Sequence, residues 1–216
     1  MKISNLSFSY LDRVIFEDFS LSVESNGITC ILGESGVGKS TLLDLIAGLR
    51  VPTSGDIERV DCSYMFQSPT LFDYLTVFDN LALLGANEGS IDRVLEEVGI
   101  SHLKYAYPIT LSGGEKSRVS LCRVYLHDKG VWLLDEPFSS VDLSHKVKLL
   151  TSMRAKCLGR CVLYVTHDID EALYIADRLI VLRDGVISHD VTIQTREDYG
   201  KSTLRSSIID LMLNGD

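Results

Sequence analysis

The sequence has no run approaching the roughly 20 apolar residues that a membrane-spanning helix needs. Its opening, MKISNLSFSY, lacks the long apolar core of a secretory signal. If the protein serves a membrane, it is expected to do so through another chain. Basic excess is missing too: 21 Lys and Arg against 30 Asp and Glu leave a formal charge of -9, which argues against a nucleic-acid binder with its basic face. No repeat, low-complexity stretch or Pro/Gly/Ser-rich linker divides the chain. Cysteines are few and odd in number (Cys30, Cys62, Cys122, Cys157, Cys161), and most lie in apolar runs. No second pair of ligands with zinc-like spacing accompanies Cys157 and Cys161. Reduced, partly buried thiols in a reducing cytoplasm are expected. At 216 residues, the chain can bury the core of one α/β domain and is short for two.

Apolar and polar residues alternate over 3–10 and 14–23, the pattern of strands, notably at Phe19, Leu21 and Val23. ITCIL at 28–32 is a continuous apolar run ending at Gly33, as in a strand buried on both faces. Residues 39–49 read as a helix stopped near Gly48 and by Pro52, and a short strand is expected at 62–66. Between Thr76 and Leu126 the pattern turns helical, with helices over 76–84, 91–98 and 114–126 and Ser90 as N-cap of the second. Strands at 131–134, 162–166 and 178–182 then alternate with helices at 144–156 and 168–176. Asp184-Gly185 signals a hairpin turn into a last short strand. From Thr203 onward, Leu204, Ile208 and Leu211 share one helical face, expected to dock on the body. The sum is an α/β fold with a mainly parallel sheet, an N-terminal antiparallel β part and a helical lobe inserted at about 70–126, in one domain spanning 1–216.

Gly33-Glu34-Ser35-Gly36-Val37-Gly38-Lys39-Ser40 is a complete G-x-x-x-x-G-K-S phosphate-binding loop between a buried strand and a helix. Its glycines let backbone N–H groups approach phosphate oxygens with no Cβ in the way. The helix that follows adds the positive end of its dipole. Lys39 is expected to reach the β- and γ-phosphates, Ser40 to bind Mg²⁺, and Thr41 to hydrogen-bond a phosphate. By itself the loop says only that the protein handles a nucleoside triphosphate. A second half of the site is Val131-Trp132-Leu133-Leu134-Asp135-Glu136, a buried strand ending in two acids at the carboxyl edge of the sheet. Asp135 is placed to hold the Mg²⁺ shell, and Glu136 to address a water attacking the γ-phosphate.

Leu111-Ser112-Gly113-Gly114-Glu115, followed by Lys116 and Arg118, is a second anion-binding nest at a helix start. One nucleotide needs one cradle, so a second in the same chain suggests a shared site. Together these motifs resemble the ATP-binding cassette (ABC) family, whose signature is LSGGQ or LSGGE. The resemblance implies a RecA-like P-loop NTPase core and two subunits packed head to tail. Ser112, Gly113 and Gly114 of one would close over ATP on the other's phosphate loop. It implies that Gln67 is the glutamine that reports Mg²⁺ and attacking water to the partner, and that Asp142, in Ser140-Val141-Asp142, crosses the dimer interface. His167, in Val165-Thr166-His167-Asp168, matches the switch histidine that touches the γ-phosphate. Tyr10 stands where the family stacks an aromatic on adenine; packing at a strand end is its alternative. Cys122 and Val124 flank Arg123 where alanines are usual, and the segment from Gly55 to Gln67 is short, trimming the antiparallel part.

HDIDEAL at 167–173 and QSPTLFDYLTV at 67–77 are most like importer ATPases of the nitrate, sulfonate and taurine type. That resemblance implies an ATP-hydrolysing, energy-coupling subunit that uses ATP and Mg²⁺. Its partners would be a second copy, transmembrane permease subunits and an extracytoplasmic substrate-binding protein, with no nucleic acid. Its place would be peripheral, on the cytoplasmic face of the cell membrane. Residues 70–78 would then receive the permease; ordinary lobe core is the other reading of Leu71, Phe72 and Leu75. The rival function is a soluble ABC ATPase driving iron–sulfur assembly or cell division. A P-loop kinase or GTPase gives no reason for LSGGE or His167.

Overall fold

A computed structural model describes residues 1–193, so the expected docking face of Leu204, Ile208 and Leu211 lies outside the described residues. Strands β1 (Lys2–Tyr10) and β2 (Arg13–Ser22) pair antiparallel, and β4 (Ser54–Ile57) joins the other edge of β1. This is the antiparallel part, and β4 is an addition to the sequence-based expectation. Its residues, Ser-Gly-Asp-Ile, are mostly exposed and polar, so no apolar alternation announces an edge strand there.

A second sheet has the order β5-β6-β7-β3-β8-β9. Its strands are β3 (Gly27–Leu32), β5 (Cys62–Met65), β6 (Val131–Asp135), β7 (Cys161–Thr166), β8 (Arg178–Arg183) and β9 (Val186–Thr192). Only β9 runs antiparallel, closing the expected hairpin on β8. The interior of β3 and all of β7 are buried, which is why both read as unbroken apolar runs. Each face covers its own core. Ile28, Cys30, Leu32 and Trp132 pack with the helices α3 (Glu88–Glu97), α4 (Gly113–His127) and α5 (Leu143–Lys156). Ile31, Leu133 and Leu163 pack with α1 (Lys39–Ile46) and the inward side of β1 and β2.

Helix α2 (Val77–Ala82) begins with a capping box between Thr76 and Asp79. Helix α3 starts at Glu88, three residues earlier than expected. Asn87, not Ser90, is its N-cap, and the Asn87 side chain accepts from the Ser90 amide at 2.9 Å. The turn Glu88-Gly89-Ser90 is polar and masks the start. After β7 comes α6 (Ile169–Ile175), capped by Asp168. All five cysteines are free, and burial raises each thiol above its ordinary range, Cys157 to about 12. No helix among the described residues is long and apolar enough to cross a membrane.

Candidate nucleotide-binding and catalytic site

The parallel register decides which chemistry meets. Leu32 lies level with Thr166, and Asp135 with Val165. Gly33, Glu136 and His167 therefore leave the sheet at one edge, with β7 between the phosphate loop and the acidic strand end. In open α/β sheets this carboxyl edge is where ligands bind.

Phosphate-loop geometry depends on its glycines, among them Gly38, the residue before α1. Its φ is 113°, and a Cβ there would lie 2.7 Å from Ile15 Cγ2 and 2.9 Å from Phe16 Cζ. Lys39 is buried, and its Nζ donates to the carbonyls of Gly33 and Glu34 at 2.8 Å each. Burial lowers its pKa, while the nearby Glu136 and Asp135 oppose that shift. Glu34, Ser35, Gly36 and Ser40 are exposed at the mouth, and Val37 is half-buried.

Asp135 is 3% exposed, and its Oδ1 has no hydrogen-bond partner. Burial is the first cause of its raised pKa, and a hydrogen bond from Ser40 works against it. A buried, unpartnered carboxylate oxygen beside a hydroxyl, next to a phosphate cradle, suits a hard cation with oxygen ligands. Glu136 turns the chain through left-handed backbone, φ 46°, with its amide on the Val165 carbonyl at 2.9 Å. Its carboxylate is gripped from two sides. His167 Nδ1 stands 3.0 Å from Oε1, and Gln67 Nε2 donates to Oε2 at 3.4 Å. Two residues far apart in the chain thus converge on the carboxylate of a third.

The signature segment has a separate set of contacts. Ser112 caps α4 in a box with Glu115, accepting from its amide at 3.3 Å while the Glu115 carboxylate accepts from the Ser112 amide at 2.8 Å. That bond holds the Glu115 carboxyl below its ordinary range. A Cβ on Gly114 would meet the Ser140 carbonyl at 2.8 Å, so α4 rests directly on the turn leading to Asp142. Asp142 in turn caps α5, accepting from the His145 amide at 3.2 Å. Gly38 and Gly114 thus have different neighbours: β2 for the phosphate loop, the Ser140 turn for the signature.

Tyr10 is 37% exposed at the end of β1, with its hydroxyl 3.3 Å from Thr41 Oγ1. It is a surface ring rather than core. The run after Gln67 divides: Leu71 packs against the core, Leu75 is half-buried, and Phe72 and Tyr74 are exposed with ring centroids 5.8 Å apart. Two residues absent from the sequence-based site hold this run. Buried Asn80 accepts from the Phe72 amide at 2.9 Å and donates to the carbonyls of Phe72, Leu75 and Thr76 at 2.9–3.1 Å. Arg123 Nη1 donates to the Thr70 carbonyl at 2.7 Å.

The fold and the paired motifs define an ATP-driven cassette, and comparison with known proteins agrees. The ABC transporter family model matches residues 16–139. A Pseudomonas syringae aliphatic sulfonates import ATP-binding protein is 38% identical over 88% of this chain and 87% of its own length. One from Rhodococcus jostii is 36% identical over the whole chain and 94% of its length. Among solved structures, a post-hydrolysis dimer of an ATP-binding cassette with ADP and phosphate superposes with TM-score 0.82 at 25% identity, covering 90% of this chain and 99% of that one. An ATP-binding subunit of an ABC transporter superposes at 0.81 and 25%, covering 96% and 98%. The chain belongs to the ABC transporter family. It is an ATPase of that family, an ATP-binding, energy-coupling subunit.

Proposed function

We propose that two copies of this chain pair head to tail, hydrolyse Mg-ATP at their shared interface and so drive an importer. Each copy, a single cassette over 1–216, sits on permease subunits at the cytoplasmic face of the cell membrane, with an extracytoplasmic binding protein supplying cargo. The names of the relatives support import. The observation that carries the chemistry is the grip on Glu136 by His167 and Gln67 beside the phosphate loop.

Backbone amides of 34–40 and the Lys39 ammonium bind the phosphates, with Thr41 at the rim. Ser40, Asp135 and Gln67 would hold Mg²⁺, which neutralises charge on the phosphate oxygens when bound. Glu136 accepts the proton of the attacking water. His167 and Gln67 keep its two oxygens aimed, and both lie where they can meet the γ-phosphate or that water. Ser112, Gly113 and Gly114 of the partner close the site from above, and Asp142 spans the interface. Tyr10 carries the adenine. Glu136→Gln keeps the shape but removes the base, which is worth about 10²–10⁴-fold in rate. It should still bind ATP. A wild-type rate in this variant would place the base elsewhere.

A further inference from the structure

Arg50 follows α1, and its guanidinium lies over the Tyr10 ring, 4.8 Å from the centroid. The placement is braced. Arg50 Nε donates to Asp44 Oδ2 at 2.9 Å, and Asp44 Oδ1 accepts from the Tyr64 hydroxyl on β5 at 3.0 Å. The Tyr10 hydroxyl lies 3.3 Å from Thr41 Oγ1, and the Phe8 ring stands at 89° to Tyr10 with centroids 4.9 Å apart. These contacts hold the ring in place, yet 37% of Tyr10 stays exposed. Thr41 and Asp44 sit on the helix that starts at the phosphate loop, and Arg50 follows it. One segment therefore cradles the phosphates and sets the angle of the ring.

We propose that Arg50 is a specificity-determining residue for the nucleobase: it backs Tyr10, so that a purine stacks on the open face in a three-layer base–tyrosine–guanidinium sandwich. The inference rests on reading Tyr10 as the adenine platform. Two effects act together. A ring already held at its stacking angle loses little freedom when the base arrives. A cation on the far face polarises the ring towards itself, strengthening attraction to an electron-rich purine. Neither effect reaches a ligand that has phosphates but no base. Asp44 neutralises the guanidinium locally, so Arg50 does not act as a free charge for the triphosphate.

The test is calorimetric titration of the full chain with Mg-ATP and, separately, with inorganic tripolyphosphate. Wild type, Arg50→Ala, Tyr10→Ala and the double variant are compared, with melting curves for each. Arg50 is 40% exposed at its side chain, so Arg50→Ala should melt as wild type. It should bind ATP about two- to fivefold more weakly, the range of an exposed cation–π contact, and tripolyphosphate unchanged. In the Tyr10→Ala background, removing Arg50 should change nothing further. If Tyr10→Ala weakens ATP but Arg50→Ala does not, Arg50 is a surface contact and the inference falls while the adenine platform stands. Tighter ATP binding by Arg50→Ala would mean that the guanidinium competes with the base for the ring. Equal losses for ATP and tripolyphosphate would mean a charge effect, and also overturn it. If Tyr10→Ala binds ATP normally, the platform reading itself fails.

Discussion

Asp135 is buried with one carboxylate oxygen unpartnered, beside the phosphate loop in the place proposed for a cation. Burial raises its pKa above the ordinary aspartate value of about 3.9. Between the unfolded and folded values the native state binds more protons than the unfolded one. The empty protein therefore loses stability as pH climbs through that window, and does not regain it above. Removing the charge should stabilise the empty protein and abolish turnover. We expect Asp135→Asn in EDTA at pH 7.5 to melt about 2–4 °C higher, the response of a chain this size to about 1 kcal/mol. A lower melting temperature would show that the carboxylate is compensated without a cation. That Asp135, Lys39 and Glu136 would lie near one another was legible in the sequence, because phosphate chemistry restricts what can stand at those spacings. Asn80, Arg123 and Arg50 were not legible, because each acts on the backbone or the ring of another segment, nearby for Asn80 and distant for Arg123 and Arg50. A lone Asn in a helix or an Arg after one reads as solvated surface.

At the level of elements, α2 shows how a helix shapes a loop it precedes in space but follows in sequence. The four hydrogen bonds of Asn80 close residues 72–76 against its N-terminus, and Phe72 and Tyr74 are left outside. Asn80→Ala takes this partner from the Phe72 amide and the Leu75 carbonyl at a part-buried site, while the Phe72 and Thr76 carbonyls keep the Leu75 and Asn80 amides, a cost of about 1–3 kcal/mol. The expected result is a modest fall in melting temperature, near-normal ATPase activity of the isolated chain, and failure to co-purify with the proposed permease from solubilised membranes. Normal co-purification would move the docking surface away from this loop. The helices around it were visible as periodicity, and most boundaries agree within a few residues. Strand order was not visible. That β7 separates β3 from β6 depends on how the crossovers pack, and a pattern along one strand carries no record of its neighbour. The start of α3 and the polar strand β4 were hidden for a simpler reason: neither has an apolar rhythm.

For the whole molecule, the two cradles pose a question of assembly, since Gly38 packs on Ile15 and Phe16 while Gly114 packs on Ser140. Two defective chains should complement each other if the cradles meet only across a dimer. Lys39→Ala and Ser112→Arg, each inactive alone, can form one heterodimer with one intact site. Mixing them should restore part of the ATPase activity. Continued inactivity with heterodimers demonstrated by mass would show that a single chain completes its own site. On the head-to-tail reading, speed becomes a matter of crowding. If a solitary chain holds nucleotide with nothing to close over it, turnover per chain should climb with protein concentration and level off once pairing is complete. Two copies fastened to one platform would escape that law. Their local concentration, about millimolar for a short tether, would stay constant however few chains the cell makes.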